Sequence, residues 1–469
     1  MNASPDPLSP PPSRVRYGVL ALACSLSLIT YLDRICIMRA RPDIQTSLGF
    51  TVEQMGLVFG AFSLGYLLFE VPGGWMGDRW GSRRILTRIV LWWSIFTALT
   101  GCIFPFEWAT GISIPWGEQA FPLALNSLGL MLLVRFLFGA GEAGAYPNLT
   151  RVISDWFPFH ERGFAQGSIW MAARFGGAIA PLVIGRLAAT FGWRYAFLIL
   201  GLVGILWVIL FRRWFHDRPE HHPDCNDQER ELIRAGRPAS QPHAADGHTW
   251  PGFATLARSL TIWALCSAGF WVCVGWYFYP TWQPKYLEDV FGVRSDATQS
   301  ELLTGLPFLC GAVGCLVGGR LSDRLVARTG SKRWGRSLVG LIGFGGAGFC
   351  VLATGFVTEW WQAVALLCLA FLINDLAVPV IWATSADVGG RFAGSVSGLM
   401  NMIGAIGAML SPLLIPVALT YLPESYTPVQ RWQTIFIGLS SAWFLAGLSW
   451  LFIDAGTPID GPASKPQGA

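Results

Sequence analysis

Four charged side chains inside long apolar segments are the residues of this sequence best suited to chemistry. Asp33 and Arg34 lie in the first apolar segment, and Arg135 and Glu142 lie in the fourth. Charged groups are costly in the hydrocarbon core of a bilayer, so those found there usually face a cavity and serve function. Carboxylates can carry protons and guanidinium groups bind anions. The pattern predicts a membrane protein that moves charged molecules.

The spacing of these residues predicts how they point. Arg135 and Glu142 are separated by about two helical turns, which places them on one face of a helix roughly 10 Å apart. Asp33 and Arg34 are neighbours, so their side chains point about 100° apart. Each pair could be a structural ion pair, or a proton-carrying acid beside a cation that binds an anion. Both interpretations stay open at this point.

Further polar side chains within apolar segments extend the set of candidates. They are Tyr31, Tyr66, Glu70, Arg174, Tyr277, Asp375 and Asn401. Arg174 has no acidic residue near it in the sequence, which favours a position facing a cavity. Lys285 and Arg39, near segment ends, are expected to extend to the membrane interface. Any single one of these residues could instead serve helix packing.

Histidine is excluded as the intramembrane proton carrier, because all six histidines fall in predicted loops. If transport is driven by protons, a carboxylate must carry them, and the intramembrane candidates are Asp33, Glu142, Glu70 and Asp375. Burial raises the pKa of a carboxyl group and a nearby arginine lowers it, and an arriving anion changes that balance. His216, His221 and His222 are interpreted as part of a solvated loop. We expect neither a metal site nor a cofactor.

The elements that must position these residues are membrane helices. Of the 469 residues, 53% are hydrophobic and only 13% are charged, against roughly 25% charged in soluble proteins. The apolar runs are continuous, which predicts an all-α membrane protein with twelve transmembrane helices and excludes an alternating barrel pattern. The net charge of +4 forms no compact basic stripe, so we expect no nucleic-acid partner.

Basic residues cluster in alternate loops and predict the orientation. By the positive-inside rule these loops, the linker and both termini are cytoplasmic. The loop 104–122 contains acidic but no basic residues, so it is expected to face outward. The predicted divisions are a tail at 1–16, a six-helix bundle at 17–214, a linker at 215–258, a second six-helix bundle at 259–454 and a tail at 455–469.

An internal repeat supports two six-helix halves. Gly74-x-x-x-Asp78-Arg79 recurs as Gly319-x-x-x-Asp323-Arg324 at the predicted cytoplasmic end of the second helix of each half. Parallel repeats around a midplane site are a common transporter architecture. The motif could simply reflect topology. Alternatively it forms a gate, in which glycine permits close packing and Asp pairs with basic residues or a helix N-terminus.

Together these segments resemble the major facilitator superfamily, and within it the anion:cation symporter branch, over about residues 17–453. The resemblance rests on Tyr31-Leu-Asp-Arg34, Arg135-Phe-Leu-Phe-Gly-Ala-Gly-Glu142, Asp155-Trp-Phe-Pro-Phe-His-Glu-Arg162, Gly192-Trp-Arg-Tyr-Ala-Phe197, Gly275-Trp-Tyr-Phe-Tyr-Pro-Thr-Trp282 and Ser397-Gly-Leu-Met-Asn401. It implies protonation at Asp33 and Glu142. It also implies that Arg34 and Arg135 steer the substrate carboxylate or couple to the acids, and that Tyr31 and Tyr66 line the cavity. Arg174, Tyr277 and Asn401 complete the predicted substrate site.

Two departures from the branch pattern bear on the substrate. Ala405 stands where the branch often has an asparagine, and Arg174 stands where galactonate-type members have a neutral amide. Losing a polar contact and gaining a cation predicts a more acidic or less hydroxylated anion.

We therefore predict a proton-coupled symporter of an organic anion, a sugar acid or a related carboxylate, that acts as a monomer in a bacterial inner membrane. The alternatives are an anion exchanger, a transporter-like sensor and, least supported, a membrane-bound enzyme.

Overall fold

The computed structural model describes residues 11–116, 119–235, 253–293 and 298–459. The helices and strands of the first half are α1 (Val15–Leu48), α2 (Val52–Trp80), α3 (Ser82–Gly101), β1 (Glu107–Trp116), β2 (Gln119–Asn126), α4 (Ser127–Glu142), α5 (Ala145–Trp156), α6 (Arg162–Phe191) and α7 (Trp193–Trp214). Those that follow are α8 (Asp227–Ala235), α9 (Phe253–Arg258), α10 (Leu260–Trp276), α11 (Phe278–Thr281), α12 (Gln283–Phe291), α13 (Thr298–Thr329), α14 (Lys332–Thr354), α15 (Trp360–Gly389), α16 (Ala393–Tyr421) and α17 (Pro428–Ser449).

These helices provide the twelve crossings predicted from the sequence. Among the described residues, 10 helical stretches are long and apolar enough to span a membrane. One of them, Trp360–Tyr421, has 62 residues and contains both α15 and α16, so it accounts for two crossings. The twelfth is α3, whose 20 residues extend about 30 Å, the thickness of the hydrocarbon core.

The crossings pack as two bundles that meet along their length. In the first, α1 packs on α6, α2 on α4 and α3 on α7; in the second, α13 and α14 pack on α15, and α10 packs on α16 and α17. The bundles meet where α6 contacts α13 and where α2 contacts α16. The candidate residues of α2, α6, α15 and α16 therefore lie on helices at the boundary between the bundles, while α1 and α4 pack against α6 and α2.

The repeated glycines lie where the two bundles approach most closely. A Cβ added at Gly74 would lie 2.1 Å from the carbonyl oxygen of Gly394, and one added at Gly319 would lie 2.1 Å from that of Gly163. No larger residue fits such backbone contacts, which explains glycine at both positions of the repeat.

Two features outside the membrane helices differ from the sequence predictions. The segment expected as a plain outer loop contains an antiparallel hairpin of β1 and β2. The linker contains α8, whose buried Glu229 accepts hydrogen bonds from Ser13 Oγ and the backbone nitrogen of Val15. The end of the N-terminal tail thus packs against the linker, while residues 1–10 lie outside the described residues.

The interpretation of the linker histidines as solvated is wrong for His222. Its imidazole is only 1% exposed and packs edge-on against the indoles of Trp156 and Trp214. This burial lowers the pKa of His222, because the charged imidazolium loses its hydration. His222 is therefore a packing residue that fixes the linker to the end of the first bundle.

Candidate functional site

A buried ion pair between α1 and α4 lies in the first bundle. Arg34 Nε donates to Glu142 Oε1 at 2.5 Å, and the second carboxylate oxygen of Glu142 has no hydrogen-bond partner among the described residues. The guanidinium carbon of Arg34 lies 4.6 Å from the ring centroid of Tyr66, a cation–π contact. The Arg34 side chain is 22% exposed and that of Glu142 only 1%. Arg34 thus faces open space, with Glu142 behind it.

Asp33 points away from Arg34 into the first bundle, as expected for adjacent helical residues. It is 2% exposed, and the indole of Trp93 interacts with its carboxylate without forming a hydrogen bond of ordinary geometry. The charged groups that interact with it are Arg135 and Glu142. An unpaired buried carboxylate is costly, so Asp33 is suited to holding a proton.

Arg135 does not form the ion pair with Glu142 that one interpretation of the sequence gave. In the described part of the chain it forms no ion pair within 4 Å, and its guanidinium carbon lies 4.4 Å from the ring centroid of Phe138. It interacts electrostatically with both Asp33 and Glu142. Arg135 is therefore a buried cation near the two acids inside the first bundle, and it differs in this from the more exposed Arg34.

Arg174 has an acidic partner that its sequence neighbourhood does not reveal. Its Nε donates to Asp375 Oδ2 at 2.6 Å and its second terminal nitrogen donates to Oδ1 at 3.1 Å. Both residues are buried, Arg174 on α6 of the first bundle and Asp375 on α15 of the second. This bidentate pair joins the two bundles.

Two tyrosine side chains lie near both ion pairs. Tyr31 contacts both arginines: its ring centroid lies 5.9 Å from the guanidinium carbon of Arg34, and its hydroxyl accepts from Arg174 at 3.3 Å. Tyr277 is partly exposed where α10 ends, and it interacts electrostatically with Arg34. Tyr31, Tyr277 and the two arginines therefore border one region.

Asn401 of α16 bridges the bundles on the side of α2. Its amide nitrogen lies 3.0 Å from the hydroxyl of Tyr66 and 2.8 Å from Glu70 Oε1. Glu70 is fully buried, and its other carboxylate oxygen has no hydrogen-bond partner among the described residues. Glu70 is one of the four carboxylates predicted from the sequence as candidate proton carriers, and its contact with Asn401 places it at the boundary between the bundles.

The repeated aspartates lie at equivalent helix N-termini across that boundary. Asp78 accepts from the backbone nitrogens of Gly394 and Ser395 at 2.9 and 2.7 Å, the second and third residues of α16. Asp323 accepts from those of Gly163 and Phe164 at 3.0 and 2.7 Å, the second and third residues of α6. Carboxylates stabilise helix N-termini through these donors and the helix dipole.

The arginines of the repeat take no part in these contacts. Arg79 is exposed and lies over the ring of Trp75, and Arg324 is exposed. Other basic residues lie beside the aspartates: Arg336 donates to Asp323 at 3.0 Å, and Arg151 Nη1 lies 3.6 Å from Asp78 Oδ1. Arg336 also lies 3.4 Å from Asp387, to which Arg162 donates at 2.9 Å. Sequence analysis missed Arg336 and Asp387, and only the position of Asp387 at the end of an apolar segment could have indicated it.

Comparison with known proteins agrees with this architecture. The family model of the Major Facilitator Superfamily matches residues 23–412. A probable sulfoacetate transporter of Cupriavidus necator is 34% identical over 454 residues, which cover 96% of this chain and 97% of that protein. A probable galactarate/D-glucarate transporter of Bacillus subtilis is 28% identical over 407 residues, 86% of this chain and 85% of that protein.

Solved structures share the fold at low sequence identity. The proton:xylose symporter bound to a bromodeoxyglucose has a TM-score of 0.65 at 15% identity, covering 93% of this chain and 94% of its own. A human organic anion transporter has a TM-score of 0.64 at 15% identity, and the match covers 93% of this chain and 100% of that transporter.

Proposed function

We propose, from the premise that this chain belongs to the Major Facilitator Superfamily and is a multi-pass membrane transporter of that type, that it carries a small organic anion across the membrane together with protons. One observation carries the proposal. Arg34 and Arg174 border the same region between the bundles, and each is neutralised by an internal carboxylate. Such pairs bind an anion by exchanging the internal carboxylate for the external one, since both compete for the same guanidinium.

The two arginines favour an anion with two charged ends. Both contact Tyr31, so a short dianion placed beside Tyr31 has one cation for each end. The surroundings of Arg174 are aromatic, with Trp170, Trp276 and Phe371 within 5.1–5.5 Å of its guanidinium carbon. Of these rings only the two indoles can donate a hydrogen bond, and neither indole nitrogen has a partner among the described residues. The anion is therefore a small dianion with few hydroxyl groups, for which sulfoacetate is the first probe and the polyhydroxylated D-glucarate, both named for related transporters, is the comparison.

Proton coupling is proposed to run through Glu142 and Asp33. When the anion binds Arg34, Glu142 loses its partner and remains buried, so taking up a proton removes an uncompensated charge. The carboxylate of Asp33 forms no hydrogen bond of ordinary geometry, and Arg135 and Glu142 are the charged groups that interact with it. Release of the anion on the other side restores the Arg34–Glu142 pair and expels the proton.

The two repeated aspartates are proposed to close one end of the pathway. By the positive-inside rule that end faces the cytoplasm, as do both termini. The conformation is therefore the one in which the cytoplasmic end of the pathway is closed. Opening must break the contacts of Asp78 with α16 and of Asp323 with α6. Arg79 and Arg324 contribute positive charge to this surface, and the capping itself depends on the aspartates.

Weakening one aspartate cap should open the closed end. A hydrogen bond to a charged group contributes about 1.5–3 kcal/mol, so Asp78→Asn should raise the inward-open population by about tenfold or more. Spin labels at the exposed positions of Arg84 and Arg328, in a variant without native cysteines, report the distance across this end. Asp227→Asn, at a carboxylate that is 95% exposed, is the matched control. An unchanged distance distribution in Asp78→Asn would reject the gate.

Uptake should require an inward proton gradient. In proteoliposomes, labelled sulfoacetate and D-glucarate are tested with an acidic exterior, with and without a protonophore. A symporter stops accumulating when the gradients collapse, because the proton gradient is its only source of energy. Accumulation that survives the protonophore and requires an internal anion would instead establish an exchanger. Binding without flux in either assay would favour a sensor.

A further inference from the structure

Asp375 is a buried acid that the proposed cycle displaces from Arg174 but does not yet use as a proton carrier. It is 0% exposed, and its carboxylate receives both hydrogen bonds of the bidentate pair with Arg174. The pair connects α15 of the second bundle to α6 of the first, so any movement of the bundles about the central region bears on it. Breaking a buried pair is strongly unfavourable unless each charge finds a new partner or is neutralised.

Asp375 is also held in place by contacts within the second bundle. The amide of Asn374 donates to Asp375 Oδ1 at 2.8 Å, and Trp443 Nε1 donates to the amide oxygen of Asn374 at 3.1 Å. On the side of α13, a Cβ added at Gly311 would lie 2.4 Å from Asp375 Oδ2, so glycine makes the room that this carboxylate fills. Asp375 therefore keeps its position when Arg174 is engaged elsewhere.

Arg174 is also held independently of Asp375. Aromatic rings from three helices surround its guanidinium group, and the hydroxyl of Tyr31 accepts a hydrogen bond from it. Cation–π contacts of this kind hold a guanidinium group even when its carboxylate partner changes. Arg174 is therefore a fixed cation whose counterion can be exchanged.

From this geometry we propose that Asp375 pairs with Arg174 in the empty carrier, where it takes the position of one charged end of the transported anion. When the anion displaces Asp375, the freed carboxylate takes up a proton. The inference rests on the proposed function. One ion pair breaks and another forms at Arg174, while the freed carboxylate and one proton from the entry side become a carboxylic acid. The other titratable groups near Asp375 in the described chain, Cys315 and Tyr279, are neutral acids, so neither supplies a replacement cation.

Two consequences follow for transport. Asp375 adds one proton per anion to those carried by Glu142 and Asp33, so each cycle moves one more positive charge. The contact between the bundles is also broken in the loaded carrier and intact in the empty one. The empty carrier therefore returns with Asp375 paired to Arg174 and without a proton on Asp375, so it does not leak protons.

The test is the charge moved per anion by Asp375→Asn. Reversal potentials in proteoliposomes give the proton-to-anion ratio, with labelled sulfoacetate as the probe and D-glucarate as the second. We expect the ratio to fall by one relative to the wild type, and the affinity for the anion to rise at least tenfold because the internal competitor is gone. Asp289→Asn, which removes the partially exposed partner of Lys285, should leave the ratio unchanged.

The outcomes separate this inference from the proposed function. A wild type that carries the anion without protons would reject the proposed function. A proton-coupled wild type whose ratio and affinity are unchanged in Asp375→Asn would reject only the role of Asp375.

A second measurement does not depend on the folding of that variant. In Asp33→Asn/Glu142→Gln, infrared difference spectra should still show a protonated carboxylic acid when sulfoacetate binds. Absence of that band, with binding verified, would equally overturn the inference.

Discussion

Replacing Arg34 or Arg174 by alanine is expected to abolish measurable anion binding. Removing one member of a buried, hydrogen-bonded charge pair costs about 2–5 kcal/mol, which corresponds to an affinity loss of about 30-fold to about 4000-fold. Lys285→Ala should change affinity less than about fivefold, because its side chain is 52% exposed and pairs with Asp289 at the surface. Isothermal titration of purified protein with sulfoacetate and D-glucarate measures the three affinities.

Loss of folding is a separate effect that needs its own control. Arg34→Ala leaves Glu142 buried without its partner, which destabilises the protein by itself. The double variant Arg34→Gln/Glu142→Gln removes both charges at once and keeps similar side-chain volume, so it should fold and still fail to bind. If Lys285→Ala alone abolished binding while both arginine variants bound normally, the site would lie at the membrane interface and our placement would be wrong.

The architecture and part of the site could be predicted from the sequence because their signals are local. Continuous apolar segments indicated twelve crossings, and the repeat around Asp78 and Asp323 indicated equivalent positions in two halves. Adjacent charges at Asp33 and Arg34 had to point in different directions on one helix. Each of these inferences needs only helix periodicity and the cost of charge in a membrane.

The partners of the arginines could not be predicted, because they depend on contacts distant in sequence. Arg174 and Asp375 are 201 positions apart, and nothing in either apolar segment specifies which helices face each other. Glu142 had two candidate cations, and its spacing from Arg135 favoured the wrong one. The structure pairs it with Arg34 because α1 and α4 bring those side chains together. The β hairpin was missed because Pro115 and Pro122 lie within its paired strands, and proline normally argues against a strand.

The two central ion pairs differ in what their exchange would do. Arg34 and Glu142 both belong to the first bundle, so replacing Glu142 by an anion changes charge without separating the bundles. Arg174 and Asp375 belong to different bundles, so the same exchange also removes a contact between them. An anion with two charged ends engages both pairs at once. We propose that this joint exchange links substrate binding to both proton uptake and movement.

Glu142→Gln is expected to impair accumulation while leaving exchange intact. Glutamine has the shape of a protonated glutamate and carries no charge, so Arg34 stays available to the anion and the loaded carrier can still move. The amide cannot release a proton, so one coupling step is lost. Labelled anion should therefore exchange with unlabelled anion at a rate similar to the wild type, while accumulation driven by an acidic exterior should fall well below that of the wild type.

Counterflow and pH-driven uptake in the same proteoliposomes decide this prediction. Glu161→Gln is the matched control, because it makes the same substitution at a carboxylate that pairs with Arg16 outside the central site, and it should leave both activities unchanged. Asp33→Asn should also impair accumulation, since Asp33 is the second proposed proton site. Full pH-driven accumulation by Glu142→Gln would mean that Glu142 only neutralises Arg34. The coupling protons would then have to be carried by other buried acids, of which Asp33, Glu70 and Asp375 are the candidates in the described part of the chain.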